Sequence, residues 1–387
     1  MKKLIALLLA LVMVFALVAC ASSETKTEEP KTETPAAETP AAEEPAAEEP
    51  AAEEPAAEDG TLYIPVMAKG FQHQFWQTVY AGAQKAAQDY NVDIYFDGPA
   101  SETDVDVQVE MLKSEMAKKP KALALAALST DAVMSELQEC IEKGIPVIGF
   151  DSGVPNAPEG AIKATASTNN ENAAALAADK LMEQEGFVDM LKAATADKPV
   201  VIGVISQEAV SASIVGRTTG FVNRMTELAG AHNTVSVTGH DLWKNEVKDA
   251  GVIINVQVSA TTQVTDLVST SNAVLNLDGL KAVFLSNENA VTGFLSATAD
   301  GSDLAKGGRY DGLMVAGFDA GASQKNAVRN GWFIGSVTQD PYMIGYYAVE
   351  LAVKAANGEE VHDVDTGAQW YTAENIDDEM ISMLVYD

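Results

Sequence analysis

Short apolar runs, each bounded by glycine, proline or a polar turn and followed by a longer amphipathic stretch, recur from residue 61 to the end of this 387-residue chain. The runs cover 123–128, 145–150, 200–205, 282–285 and 313–318, and the amphipathic stretches cover 75–90, 131–143, 172–184, 217–229 and 344–357. Runs this short suit strands, and strands apolar on both faces must be covered on both faces. The alternation therefore predicts an α/β fold with doubly wound parallel sheets flanked by helices. About 327 residues suffice for two such domains. Lys143-Gly144-Ile145-Pro146 is a helix stop leading directly into a strand. Pro65 lies inside the first expected strand, 62–67, where it removes a ladder donor, so a bulge or an edge-like stretch is expected there.

Residues 1–60 cannot join that fold. A basic Met1-Lys2-Lys3 start, an apolar run from residue 4 to 18 and a small residue before Cys20 form the pattern of a secretory signal, and the run is short for a membrane span. Leu17-Val18-Ala19-Cys20 resembles the bacterial lipoprotein box. By that resemblance 1–19 is a lipoprotein signal peptide, Cys20 becomes the lipidated N-terminus, and the remainder works outside the cytoplasm, anchored to the outer face of the cell membrane. Residues 21–60 then repeat Pro-Ala-Ala-Glu-Glu with no aromatic residue. Such a segment cannot offset its ordering entropy by burial and is expected to be a disordered, self-repelling tether. In polyproline II conformation, roughly 40 residues reach about 120 Å.

The formal charge is −31; with the tether's 13 acids and two lysines and the two signal lysines set aside, the rest carries −22. That balance disfavours nucleic acid and anionic lipid as partners of the domain itself. Of the two cysteines, lipidation of Cys20 leaves Cys140 unpaired, expected as a small buried hydrophobe on a helix. His232, His240 and His362 show no ligand spacing, so no metal site and no cofactor are expected.

Ligands of open parallel sheets bind beyond the carboxyl ends of the strands. Asp151 follows Ile148-Gly149-Phe150, Asn287 follows Val283 to Ser286, Asp319 follows Val315 to Phe318, and Gln339 follows Gly335 to Thr338. Phe75 and Trp76 stand just beyond the first strand, and Arg217 begins a helix after another. Individually, strand-end Asp and Asn residues are often turn or helix caps. Jointly they describe a polar cleft with an aromatic wall, an arrangement suited to a sugar.

These residues make the resemblance specific. From Thr61 to Asp387 the chain resembles the type I periplasmic sugar-binding proteins, the ribose-binding-like branch of the ABC-importer substrate-binding proteins. The family's Asn-Pro-Phe-Phe, followed by Gly-Ala, reads here as His73-Gln74-Phe75-Trp76 with Gly82-Ala83. Its Ile-Pro-Val-Ile-x-x-Asp is Ile145 to Asp151, its Arg before Gly-Phe is Arg217 before Gly220-Phe221, and its Ala-Val-Phe-x-x-Asn is Ala282 to Asn287. Gly-Phe-Asp is Gly317 to Asp319, and the hinge-proximal Gln is Gln339.

The resemblance implies a ligand site of His73, Phe75, Trp76, Asp151, Arg217, Asn287, Asp319 and Gln339. The aromatic rings would cover the C–H face of a sugar, and the ions and amides would bond its hydroxyls. Departures matter as well. Ala126 and Ser152 stand where ribose binders have Asn and Arg, Thr261 falls near their second stacking Phe, and His73 replaces the opening Asn, so D-ribose is not implied.

It further implies two lobes, 61–167 with 340–368 and 168–339 with 369–387, joined by a three-segment hinge, in a monomer that closes on a small sugar. The loaded form would deliver it to an ABC permease paired with its ATPase. Rival readings are a binding lipoprotein for a nucleoside, an inositol or a furanosyl autoinducer, a LacI-like repressor, and a glycosidase using Asp151 and Asp319. The repressor lacks its helix-turn-helix at the start of the chain. The enzyme lacks any nucleophile elbow or phosphate loop, so none is expected.

Overall fold

The computed structural model describes residues 61–71 and 73–386; the signal, Cys20 and the tether lie outside the described residues. Two α/β lobes each carry a doubly wound sheet. The first lobe runs β1 (Tyr63–Met67), α1 (Gln74–Tyr90), β2 (Asp93–Asp97), α2 (Val105–Ala117), β3 (Leu123–Leu125), α3 (Met134–Lys143), β4 (Val147–Phe150) and β5 (Ile162–Ser167). The second runs α4 (Asn170–Met182), α5 (Phe187–Ala193), β6 (Val200–Ser206), α6 (Ala212–Gly230), β7 (Val235–Gly239), β8 (Val252–Val258), α7 (Val264–Leu275), β9 (Leu280–Leu285), α8 (Glu288–Ala297), β10 (Met314–Phe318), α9 (Ala322–Arg329) and β11 (Gly335–Gln339). The chain returns to the first lobe for α10 (Pro341–Ala356) and β12 (Val364–Asp365), then to the second for β13 (Ala368–Tyr371) and α11 (Glu379–Ser382).

The first sheet has the order β12-β5-β4-β3-β1-β2 with every pair parallel. The second has the order β13-β11-β10-β9-β6-β8-β7, parallel apart from β13, which lies antiparallel to β11. The winding reverses beside β1 in one lobe and beside β6 in the other, which opens a crevice at the carboxyl ends of the central strands. The third crossing falls slightly before the expected boundary, since Ala368 already pairs with Gln339 in the second sheet. Two of the three crossings are tied together: Thr366 N donates to Ser167 O, and Thr168 Oγ1 donates to Gly367 O at 3.0 Å.

Local chemistry accounts for the boundaries. Gly144 ends α3 with φ of 67°, left-handed as the sequence signal required. Asp340 caps α10 by accepting from Met343 N at 2.9 Å, and Pro341 occupies its first turn. Cys140 is fully buried within α3. The expectation for Pro65 is corrected: β1 has neighbours on both sides, and its register with β2 runs unbroken through Pro65 opposite Tyr95. Its ladder with β3 starts only at Val66, one residue past the missing donor.

Two of the glycines in the sequence motifs serve packing. A Cβ on Gly82 of α1 would lie 1.9 Å from Tyr342 O on α10, and one on Gly345 of α10 would lie 1.8 Å from Val79 O. These helices thus meet backbone to backbone. In the second lobe, Gly220 of α6 abuts Glu171 O of α4 in the same way, at 2.1 Å from an added Cβ. Gly345→Ala is expected to cost about 2–4 kcal/mol, because a rigid carbonyl and not a flexible side chain must move. Urea unfolding of wild type and variant measures this, and an unchanged midpoint would contradict the packing account.

Candidate functional site

The site lies where the strand ends of both sheets face each other. Asp151 follows β4 and Asp319 follows β10, each at the end of a Gly-Phe-Asp triplet, and both have left-handed backbones, with φ of 53° and 77°. Asp tolerates this region better than most residues, so the two lobes hold equivalent acids in equivalent left-handed turns. Asp319 is fixed by three donors. Gln339 Nε2 lies 2.8 Å from Oδ1, Arg217 Nη1 lies 3.2 Å from Oδ2, and Glu288 N lies 3.1 Å from Oδ2.

Arg217, on the second turn of α6, is buried. Its Nε donates to Asn170 Oδ1 at 2.8 Å, Nη1 also reaches Ser286 O at 3.2 Å, and its guanidinium carbon sits 3.9 Å above the Phe318 ring. It therefore joins the start of α4 to the ends of β9 and β10. Asn287 is the N-cap of α8, accepting from Ala290 N at 3.1 Å, and its Nδ2 donates to Gln207 Oε1. The bland role of a strand-end Asn is thus real here, and the same residue also faces the cavity.

All eight residues singled out in the sequence line one cavity between the lobes. His73 borders it from the N-cap of α1, ahead of Phe75 and Trp76, whose rings meet edge to face at 5.0 Å. Trp76 is almost fully buried, and its Nε1 donates to Glu102 Oε1 at 3.0 Å.

Sequence reasoning missed Lys69, Glu102, Ile214, Glu288 and Asn289, which also line the cavity. Lys69 Nζ donates to Ser213 Oγ across the cleft at 3.0 Å. It also lies 3.1 Å from Asp151 Oδ2, an ion pair whose angles leave that oxygen without a hydrogen-bond donor. Burial disfavours the Lys69 ammonium, but Asp151, Glu102 and Glu208 outweigh it and hold its pKa above the usual lysine value. Burial likewise disfavours ionised Glu102, yet Lys69 and the bonds from Trp76 and Gln207 outweigh it and lower its pKa. Gln207 Nε2 reaches Glu102 Oε2 at 2.9 Å, and Thr130 N reaches Val210 O at 3.2 Å, so the lobes are in contact around the cavity.

Of the departures from the ribose pattern, only His73 lines this cavity. Ala126 is buried, its carbonyl accepting from Gln108. Ser152 Oγ accepts from Ser213 N at 3.3 Å across the cleft. Thr261 lies in an adjoining space shared with Lys69 and Glu102, not on the cavity itself.

A family model described as a periplasmic binding protein domain matches residues 64–360. The chain belongs to the periplasmic binding protein family. A solved protein from Brachyspira murdochii, described as an ABC transporter, LacI family transcriptional regulator, is 40% identical over 84% of this chain and 99% of its own, with a TM-score of 0.70. A carbohydrate transporter solute-binding protein from Agrobacterium radiobacter, solved with D-arabinose, is 27% identical over 84% of this chain and 99% of its own, with a TM-score of 0.69. The D-allose-binding periplasmic protein of Escherichia coli (strain K12) is 20% identical over 315 residues, 80% of this chain and 90% of that protein. Among the described residues no helix is long and apolar enough to cross a membrane.

Proposed function

We propose that this chain is an extracytoplasmic substrate-binding lipoprotein that captures a small sugar between its lobes and delivers it to the permease of an ABC transporter. The observation that carries the reading is the single cavity where carboxylates, amides and an arginine from the strand ends of both lobes meet the Phe75–Trp76 wall. Hydroxyls satisfy ions and amides, and a sugar's C–H face suits aromatic carbon. Relatives described with D-arabinose and D-allose bind ligands of this class. The role is binding without chemistry.

A ligand bridging both lobes adds to their direct contacts and shifts the population toward the closed arrangement, and this gives the permease a loaded shape to distinguish. The three crossings act as the hinge. Cys20 carries the lipid, and the Pro-Ala-Ala-Glu-Glu tether gives the monomer reach from the membrane surface.

Trp76 supplies the test. Titration of the chain with pentoses, hexoses, inositols, nucleosides and a furanosyl autoinducer, followed by tryptophan emission, is expected to give saturable quenching or enhancement with a monosaccharide. In Trp76→Phe that signal is expected to shrink although Trp243, Trp332 and Trp370 remain, and affinity is expected to fall by about 1 kcal/mol through the lost bond to Glu102. An unchanged signal and affinity would remove Trp76 from the site, and saturation by a nucleoside alone would replace the sugar.

A further inference from the structure

Several of the cavity's donors are already committed to its own residues. Lys69 is engaged with Ser213 and Asp151, Arg217 with Asn170, Ser286 O and Asp319, Trp76 with Glu102, and Gln339 Nε2 with Asp319. Three buried atoms on its lining have no hydrogen-bond partner: Asp151 Oδ2, Gln339 Oε1 and Glu288 Oε2. Gln339 Oε1 and Asp151 Oδ2 are acceptors, and so is Glu288 Oε2 when its carboxyl is ionised. The Gln339 assignment is fixed chemically, since only its nitrogen can face the Asp319 carboxylate.

Glu288 is the least explained of the three. Its backbone N–H holds Asp319 and its carbonyl accepts from Thr292, but its buried Oε2 has no hydrogen-bond partner among the described residues. The carboxyl occupies room left by Gly321, where a Cβ would lie 2.0 Å from Oε1. An acid left without a donor at a cavity wall is costly unless something entering the cavity completes it. Four carboxyls, Glu102, Asp151, Glu288 and Asp319, also line the cavity against the cations Lys69 and Arg217.

Resting on the sugar-binding reading, we propose that Glu288 is a further ligand-recognition residue, its carboxylate accepting a hydrogen bond from a ligand hydroxyl, and that the cavity selects donor-rich neutral monosaccharides over sugar acids and sugar phosphates. Gln339 Oε1 and Glu288 Oε2, which have neither a hydrogen bond nor an ion pair, are completed by O–H donors from the ligand. A carboxylate or phosphate brings acceptors and negative charge to a wall that already has an excess of both.

The proposal carries a proton signature. Burial, reinforced by Asp319 and Glu102 and opposed by Lys325 on α9, pushes the Glu288 carboxyl up to about 7. Tyr371 of β13 and Tyr386 also face it, with burial raising both phenols, so they remain neutral near pH 7. A ligand hydroxyl favours the ionised form, so binding releases a proton and affinity rises with pH. If the bound carboxyl titrates about two units lower, the gain between pH 6 and pH 8 is roughly tenfold.

Calorimetric titration of the full chain with D-allose, D-arabinose and D-galactose, with D-galacturonate and D-galactose 6-phosphate as anionic probes, tests this at pH 6 and pH 8. The tightest neutral sugar is expected to gain about tenfold affinity across that range. Glu288→Gln is expected to lose most of that dependence and to bind at least about fivefold more weakly at pH 8. Should that variant fail to fold, wild-type titration in two buffers of different ionisation enthalpy reads the proton release directly. Wild-type affinity with an unaltered pH profile in Glu288→Gln, no proton release, or an anionic probe binding as tightly as the neutral sugars would overturn the inference while leaving sugar binding intact. Binding of none of the neutral sugars would overturn both.

Discussion

Arg217→Ala is expected to weaken sugar binding by well over tenfold and to cost about 3 kcal/mol of folding stability, because it removes one member of a buried ion pair and leaves Asp319 uncompensated. The side chain bonds Asn170, Ser286 O and Asp319 and packs on Phe318, so its loss disturbs the meeting point of α4, α6, β9 and β10 as well as the cavity wall. Sequence alone assigned Arg217 a ligand role; the bonds give it a second, structural role. Arg217→Lys keeps the charge but not the planar fork, so it is expected to recover part of the stability and little of the affinity. Urea unfolding and calorimetric titration of both variants separate the two effects. A variant Arg217→Ala that unfolds and binds like wild type would contradict the assignment.

Cys20→Ala is expected to act in an all-or-none manner on location and to leave the cavity untouched. Without the thiol no lipid can be attached, so the chain accumulates as an uncleaved precursor or is released. Phase partitioning in detergent, with metabolic labelling by a radioactive fatty acid, measures the change. Label and detergent partitioning unchanged by the substitution would remove the lipoprotein reading, with no bearing on the site between the lobes.

The strands legible in the sequence were those apolar on both faces, such as β4, β6 and β10, where burial leaves continuous hydrophobic runs. β2, with the sequence DIYFD and a half-exposed edge position, and β5, built from small and polar residues, carry no such signature. A helix end was legible where a glycine forced it, at Gly144. Pro65 misled because a strand can keep its register through a proline whose missing donor precedes the start of the neighbouring ladder.

The site shows the same division. Acids and amides at the ends of visible strands were found, and they line one cavity. Lys69 stands two residues beyond β1, so strand-end reasoning applied there would have reached it. Glu102 follows the unseen β2, and its partners Trp76 and Gln207 are 26 and 105 residues away in sequence, a pairing only the folded chain reveals. Glu288 adjoins Asn287 and resembles an ordinary acid in the first turn of a helix until its unpartnered Oε2 is seen in a residue that lines the cavity.

The most direct test of sugar capture between the lobes is calorimetric titration of the purified chain with neutral monosaccharides, repeated on Asp151→Ala and Asp319→Ala. One sugar is expected to bind with a stoichiometry of one and a dissociation constant in the micromolar range or below, and each substitution, one in each lobe, is expected to weaken it by at least about tenfold. Sugar binding that neither substitution alters, or a chain that binds no monosaccharide while a nucleoside or another small molecule saturates it, would contradict the account.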